Sequence, residues 1–220
     1  MENIITNEDS TTIIPLVSNN PFISKESVDK CTKIAKLNAL NKNLFNNCCN
    51  ISCPIYNNTV SKSIFSGSCD ASTMLVDAFP SEYESFTGCF TDEKGFLLEE
   101  ILNSIGIHRD NIYCTTVIKC HDISHTNTDI INNCLKHYFY NELEIIKPKK
   151  LVVTYSAYQA MLKYGLIPFV GTINYFSKKR ITLSNNLETD LYVIYNFKDC
   201  QTLTEQQINA FIEGLKIVLH

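Results

Sequence analysis

Short apolar segments alternate with amphipathic helical patterns from Thr73 to the end of the chain, and this alternation constrains the fold more than any other feature. The apolar segments predict four buried strands, at residues 73–78, 112–118, 151–154 and 191–195. Strands that are separated by helices imply right-handed crossovers and a sheet covered on both faces. We therefore predict an α/β fold, with three α/β/α layers around a central, mostly parallel four-stranded sheet.

Helical patterns fill the intervals and the segment before the first strand. They predict helices at residues 24–44, 96–105, 129–146 and 157–164, and a last helix that opens at Thr204. Gln207, three residues after Thr204, completes a capping box. Residues 1–22 are polar and have no clear period, so we expect a flexible amino-terminal tail followed by a single domain at 23–220.

Composition and charge limit the classes of protein to which the chain can belong. No apolar run is long enough to span a bilayer, and the amino terminus lacks the layout of a signal peptide, so we expect a soluble cytoplasmic protein. The net charge of −4 argues against a generally basic nucleic-acid coat but allows a local basic groove. Few glycines and abundant Asn, Ile and Lys suggest an AT-rich gene from a phage, virus or low-GC bacterium, and a viral origin would mean the host cytoplasm.

Cysteines are unusually frequent, with ten in 220 residues. A disulfide scaffold is usually shorter and follows a secretion signal, so disulfides are disfavoured. Two interpretations remain open, namely buried apolar thiols and thiolate ligands of a metal. The ten lie at positions 31, 48, 49, 53, 69, 89, 114, 120, 134 and 200.

A series of short motifs, in a fixed order over roughly residues 48–200, resembles the iron–sulfur uracil-DNA glycosylases, often called family 4, and their phage-type relatives. The motifs are Cys53-Pro54-Ile55, the acidic loop from Asp77 through Pro80 to Glu84, Gly88 with Phe90, Gly95, the segments 106–113 and 117–120, Cys134, and the segment 146–149. Each motif is weak alone, but their common order predicts the uracil-DNA glycosylase fold.

The resemblance implies a [4Fe–4S] cluster held by Cys49, Cys53, Cys120 and Cys134. Such a cluster requires four converging thiolates. The first pair departs from the family, since three residues separate Cys49 from Cys53 where two are usual, and Cys48 is a possible substitute. Zinc at the same thiolates, or no metal at all, are the alternatives.

The resemblance also implies a pocket for a base that has been turned out of the DNA stack. Phe90 would stack on the base, and Asp77 would orient water or stabilise positive charge on the sugar. The alternatives are that Phe90 is an ordinary core residue and that Asp77 caps a local turn.

Two substitutions in this pocket make enzymatic activity uncertain. Thr116 stands where the family has a base-reading Asn, and Asn196 stands where the family has a His that stabilises charge on the departing uracil. A hydroxyl lacks the two-headed recognition of an amide, and a neutral amide cannot carry the positive charge of an imidazolium.

Contacts with DNA are expected from the strand ends and from a basic run between the third and fourth predicted strands. The residues concerned are Lys119, Ser156, Lys178, Lys179 and Arg180. The alternative for the basic run is a solvated surface without a partner.

Three hypotheses for function follow. The first is a DNA-binding protein of glycosylase fold whose base excision is weak, altered or lost, acting in replication or repair with a polymerase or another replication protein as partner. The second is an active uracil or damaged-base DNA glycosylase. The third is an inhibitor or decoy that binds host repair factors.

Overall fold

A computed structural model describes residues 25–47, 65–121, 132 and 134–220. Its helices are α1 (Lys25–Asn47), α2 (Glu82–Thr87), α3 (Glu93–Ser104), α4 (Tyr140–Ile146), α5 (Tyr155–Lys163) and α6 (Glu205–Leu219). Its strands are β1 (Ser66–Gly67), β2 (Thr73–Asp77), β3 (Ile112–Thr116), β4 (Lys150–Thr154), β5 (Lys178–Thr182) and β6 (Glu188–Ile194). Short 3₁₀ turns lie at Arg109–Asn111 and Phe197–Thr202, and a π-helical turn at Leu135–Phe139 leads into α4.

Within the described residues the strands form one sheet in the order β1-β3-β2-β4-β6-β5. The four central strands β3, β2, β4 and β6 are the four that the sequence predicts, and they pair in parallel. Their carboxyl ends therefore meet at one edge of the sheet. Asp77 lies opposite Thr116, and Thr154 lies opposite Ile194.

The strands at both edges of the sheet are antiparallel and were not predicted. β1 has only two residues, too few to show a period. In β5, Ile181 is buried and the other four residues are exposed, so the sequence reads as a charged run. The sheet therefore has more strands than the four predicted, with a parallel centre as expected.

Two hydrophobic cores cover the two faces of the sheet. On one face Met74, Val76 and Val153 pack with residues of α1, α4 and α5. On the other face Leu75 and Val152 pack with residues of α3 and α6. Successive residues of β2 alternate between the two cores, as the pleat of a strand requires. The predicted three-layer α/β/α fold is confirmed.

Helix ends follow the capping signals where the sequence offers them. Thr204 accepts a hydrogen bond from the Gln207 N–H, which confirms the predicted capping box of α6. α5 begins at Tyr155, two residues before the prediction, because Thr154 caps it by accepting from the Ala157 N–H. α3 begins at Glu93, three residues before the prediction, and packs through Leu98, Ile101 and Leu102, whereas Phe96 is 70% exposed.

In the described part of the chain, no helix combines the length and the apolar character that crossing a membrane requires. The predicted amino-terminal tail lies outside the described residues, as do Cys48, Cys49 and Cys53.

Candidate active site

A cavity of about 260 Å³ opens at the carboxyl edge of the parallel strands. Its walls come from the loops after β2 and β6, from the start of α5 and from the first turns of α3. They consist of Asp77, Ala78, Phe79, Ser81, Asp92, Glu93, Lys94, Leu97, Ser156, Asn196, Phe197 and Lys198. In open parallel sheets this edge is the usual place for a ligand. A larger groove of about 890 Å³, between α1 and α4, lies away from the strand ends.

Asp77 ends β2, and its carboxylate is held by three donors. Oδ1 accepts from the Ala78 N–H at 2.8 Å and from the Thr154 hydroxyl at 2.9 Å. Oδ2 accepts from the Lys94 ammonium at 2.7 Å. The sequence allows Asp77 to cap a local turn, and its hydrogen bond with the Ala78 N–H is such a contact. The resemblance implies that Asp77 lies in the base pocket, and the same side chain also lines the cavity.

Lys94 joins Asp77 to a second carboxylate, that of Glu84. The Lys94 ammonium lies 2.6 Å from Glu84 Oε2, and the Glu84 side chain is fully buried. Burial lowers the pKa of Lys94, but the Asp77 and Glu84 carboxylates outweigh burial and raise that pKa above its ordinary value. Burial also raises the pKa of Glu84, against the lowering effect of Lys94. The three charges thus form one fixed network beside the cavity.

Sequence reasoning missed both Lys94 and Glu84. A signal for Glu84 is present, because Ser81 and Glu84 form a capping box at the start of α2. The Ser81 N–H donates to Glu84 Oε2 at 2.8 Å, and the Ser81 hydroxyl donates to Asp92 at 2.7 Å. No comparable signal marks Lys94, since its ion pairs depend on how α2 and α3 approach the end of β2.

Asn196 and Ser156 meet on another part of the cavity wall. Asn196 Oδ1 accepts from the Ser156 N–H at 2.9 Å, which ties the loop after β6 to the first turn of α5. Asn196 Nδ2 donates to Asp199 at 2.8 Å. The structure therefore brings together three of the predicted site residues, Asp77, Ser156 and Asn196, from three different strand ends.

Comparison with known proteins agrees with this arrangement. The family described as the Uracil DNA glycosylase superfamily matches residues 66–209, a range that contains the whole cavity wall. The chain belongs to the uracil-DNA glycosylase superfamily. It is also similar to the type-4 uracil-DNA glycosylase of Thermotoga maritima, with 31% identity over 102 residues, which is 46% of this chain and 53% of the relative. The chain thus spans about half the length of the curated relative it matches.

Phe90, the predicted stacking residue of this superfamily member, lies just behind the cavity. It is 4% exposed, and the Lys94 ammonium lies 5.0 Å from the centre of its ring. Arg109 lies 5.6 Å from the same centre, and the edge of Phe197 packs at 5.4 Å. A base could stack on Phe90 only if one of these neighbours moved. The stacking role stays a prediction, and Phe79 is the phenylalanine that lines the cavity together with Phe197.

Thr116 and Lys119 lie in the interior of the protein. The Thr116 hydroxyl is fully buried and donates to the Ile118 carbonyl at 2.7 Å. The Lys119 ammonium is buried, pairs with Glu142 at 2.6 Å, and also donates to the Thr115 hydroxyl and the Thr116 carbonyl. Contact between Lys119 and a DNA phosphate would require breaking this internal ion pair. Lys119 therefore belongs to the interior of the protein and is not a surface charge.

The predicted basic run forms β5, at the edge of the sheet. Lys178 pairs with Asp190 at 2.7 Å, and Arg180 pairs with Asp190 and Glu188, each at 3.0 Å. Lys179 is exposed on the alternate position of the strand. Of the three basic residues in this run, Lys178 and Arg180 thus already pair with carboxylates of β6.

Two of the four predicted cluster ligands, Cys120 and Cys134, belong to the described residues, and both are buried, at 4% and 1% exposure. Cys120 follows the end of β3, and Cys134 immediately precedes the π-helical turn. Among the described residues, no group of three or more metal-binding side chains converges. Cys120 and Cys134 are thus interior thiols, a position compatible with a cluster shielded from solvent. Cys49 and Cys53 lie outside the described residues.

Proposed function

We propose that this superfamily member binds DNA and hydrolyses the N-glycosidic bond of uracil or a damaged base, with activity that is weak or altered in specificity. The observation that supports this most directly is the shared cavity of the Asp77 carboxylate and the Asn196 amide at the carboxyl edge of the sheet. A carboxylate beside an uncharged hydrogen-bonding amide provides the two kinds of group that such hydrolysis uses.

In the proposed reaction the bond between the sugar carbon and the base nitrogen breaks, and the base leaves with the bonding electrons. Asp77 stabilises the positive charge that develops on the sugar and orients the attacking water. The water oxygen adds to the sugar carbon, and the proton that the water loses is taken up by the base. Asp77 is well fixed for this role, because the Ala78 N–H, Thr154 and Lys94 hold both of its oxygens.

The activity is expected to be lower than that of an enzyme with a cationic group at position 196. Asn196 is neutral, and its Nδ2 donates to Asp199. The loss of one effective donor to a developing anion typically lowers the rate by a factor of about 10² to 10³. A slow but measurable excision therefore follows from the residues that line the cavity.

The test is excision from a uracil-containing oligonucleotide, read as strand cleavage after alkali. Asp77→Asn preserves the shape of the side chain and removes its charge, so we expect a rate loss of about 10² or more. Asp70→Asn is the matched control, because Asp70 is a surface carboxylate paired with Lys30 and Lys33. Equal rates for the wild type and Asp77→Asn would reject the catalytic role of Asp77.

A second candidate is a DNA-binding accessory protein of replication or repair in which excision has been lost. The Lys94 ammonium pairs with Asp77 and lies over the Phe90 ring. Both contacts favour this candidate, because Lys94 occupies the carboxylate and the ring that excision would use. DNA binding by the wild type without any abasic product would support it, and a polymerase subunit would then be the partner to seek by co-purification.

We further propose that Cys49, Cys53, Cys120 and Cys134 hold a [4Fe–4S] cluster. Support comes from the burial of Cys120 and Cys134 and from the similarity to a type-4 enzyme. The cluster would cross-link separate segments of the chain, and no step of hydrolysis needs it.

Anaerobic purification should give brown protein with about four irons per chain. Cys134→Ser should lose most of the iron, whereas Cys31→Ser should keep it, because Cys31 is an exposed thiol on α1. Stoichiometric zinc with no iron would overturn the cluster and leave the same thiolates as a zinc site.

A further inference from the structure

Lys94 is a cation held in a fixed position on the wall of the Asp77 cavity. Its side chain is 12% exposed, and its ammonium lies 2.7 Å from Asp77 and 2.6 Å from Glu84. Two carboxylates on different elements, one at the end of β2 and one in α2, therefore hold the end of a side chain that is usually flexible. A clamped ammonium loses little further freedom when it meets a ligand, which favours binding.

The clamp leaves hydrogen-bonding capacity on the ammonium. A lysine ammonium carries three N–H donors. Among the described residues, its hydrogen-bonding partners are the carboxylates of Asp77 and Glu84. One N–H donor thus remains beyond these two hydrogen bonds, on a residue that lines the cavity, and the Phe90 ring lies 5.0 Å from the same ammonium.

The other groups expected to read a base are engaged elsewhere. The Thr116 hydroxyl is buried and donates to the Ile118 carbonyl. The Asn196 amide accepts from the Ser156 N–H and donates to Asp199. Lys94, in contrast, lines the cavity, carries a positive charge and is held in place by two carboxylates.

We infer that Lys94 is the specificity-determining residue of this cavity, an inference that rests on the proposed glycosylase function. Lys94 donates a hydrogen bond to a carbonyl oxygen of the base that has entered the cavity. As the glycosidic bond breaks, the bonding electrons spread onto that oxygen, and the nearby positive charge stabilises the departing anion. Lys94 thereby supplies the positive charge that Asn196 cannot provide.

This assignment predicts a substrate class. A base that presents a carbonyl oxygen to Lys94 gains a charge-assisted hydrogen bond. A base that presents an amino group there places donor against donor and leaves the ammonium without its partner, which is costly in a buried site. Lys94 would thus be the group in this cavity that distinguishes a base with a carbonyl oxygen at this position from its amino parent.

The test compares two leaving bases, uracil and 5-fluorouracil. Fluorine withdraws electrons from the ring, so the 5-fluorouracil anion is more stable by itself and needs less help from the protein. Replacing Lys94 by Met should therefore slow uracil excision by about 10² and 5-fluorouracil excision by less than about 10-fold. A merely structural role would lower both rates by the same factor.

Lys94→Met alone leaves the buried Glu84 carboxylate without its cation, which can prevent folding. The informative variant is therefore the double substitution Lys94→Met with Glu84→Gln. Gln removes the unpaired charge and keeps one acceptor oxygen, which can serve either the Ser81 or the Phe90 N–H, because these two bond to different oxygens of Glu84. Glu84→Gln alone is the reference, because it differs from the double variant only at position 94, and the ratio of uracil to 5-fluorouracil rates should be about tenfold lower or more in the double variant. An unchanged ratio in the double variant, or faster uracil excision, overturns the role of Lys94.

A binding measurement separates this inference from the proposed function. DNA with 2′-fluoro-2′-deoxyuridine resists excision, and a tetrahydrofuran site lacks the base altogether. The wild type should bind the uracil site about tenfold more tightly than the tetrahydrofuran site, and the double variant should lose that preference. A wild type that excises neither base but shows this preference, with the preference lost in the double variant, rejects the proposed hydrolysis and retains Lys94 as the base contact. A double variant that keeps the wild-type preference rejects Lys94 as that contact. A wild type without the preference rejects the contact itself.

Discussion

Gly95 sets how closely the turn that carries Phe90 can approach α3. A Cβ atom at position 95 would lie 2.0 Å from the Phe90 carbonyl oxygen and 2.5 Å from its carbon, and both are backbone atoms that cannot rotate away. Phe90 itself has a positive φ of 56°, so this turn has little freedom to adjust. The sequence showed Gly95 as a motif residue, and the structure gives the physical reason for it.

Gly95→Ala is therefore expected to destabilise the protein by about 1–3 kcal/mol, the usual cost of overpacking. It should also displace Lys94, its neighbour, and so weaken excision. Urea denaturation gives the free energy of unfolding, and Gly106→Ala is the control, because a Cβ there meets nothing within 4 Å. A smaller loss for Gly95→Ala than for Gly106→Ala would contradict this explanation, since the control has no steric clash and its only cost is the positive φ of Gly106, about 1–2 kcal/mol.

Single residues could be predicted from sequence where they directly follow a strand. Asp77, Ser156 and Asn196 follow the ends of β2, β4 and β6, and parallel pairing brings such ends together. The ion pair of Lys94 with Glu84 could not be predicted, because it depends on the packing of two helices, although the capping box with Ser81 marks Glu84 in the sequence. Lys119 was predicted to contact DNA, but its position after β3 places it against Glu142 in the interior.

The edge strand β5 consists mostly of charged residues, which hid its strand character in the sequence. Its charges predict phosphate contacts, but the antiparallel pairing with β6 places Arg180 opposite Asp190, and Thr182 opposite Glu188. Lys178 and Arg180 are consequently held in cross-strand ion pairs. Pairing of this kind could not be predicted from sequence, because β5 lacks the alternation that marks a half-buried strand.

Lys179 is the residue of this run that is expected to report DNA contact. If β5 faces DNA, Lys179→Gln removes one phosphate contact and lowers the slope of log affinity against log salt by about 0.9. Fluorescence anisotropy with duplex DNA at several salt concentrations measures the slope. Lys36→Gln, an equal change of charge on exposed α1, should leave the slope unchanged. Identical slopes for Lys179→Gln and the wild type would remove β5 from the DNA-binding surface.

The overall arrangement of strands and helices was the feature most readily predicted from the sequence. Four apolar segments separated by helices allow few arrangements other than a parallel sheet covered on both faces, and the two cores have that form. One core contains Cys114, the middle residue of β3, which is buried with Arg109 donating to its sulfur. Burial raises the pKa of the Cys114 thiol from its ordinary value of 9.0 to about 11, against the lowering effect of Arg109. This shift links the stability of the whole fold to pH.

The direction of the linkage follows from proton binding. Between pH 9 and pH 11 the unfolded chain releases the Cys114 proton while the folded chain keeps it, so the free energy of unfolding falls as pH rises through this window. A shift of two pKa units corresponds to about 2–3 kcal/mol. Lys94, whose pKa is also raised in the folded state, acts in the same direction at alkaline pH. Urea denaturation under reducing conditions at pH 8.5 and 10.5 should therefore show a smaller decline for Cys114→Ala than for the wild type. Comparing each protein with itself at the two pH values cancels the cavity that the substitution creates, and equal declines would show that the Cys114 thiol does not carry the effect.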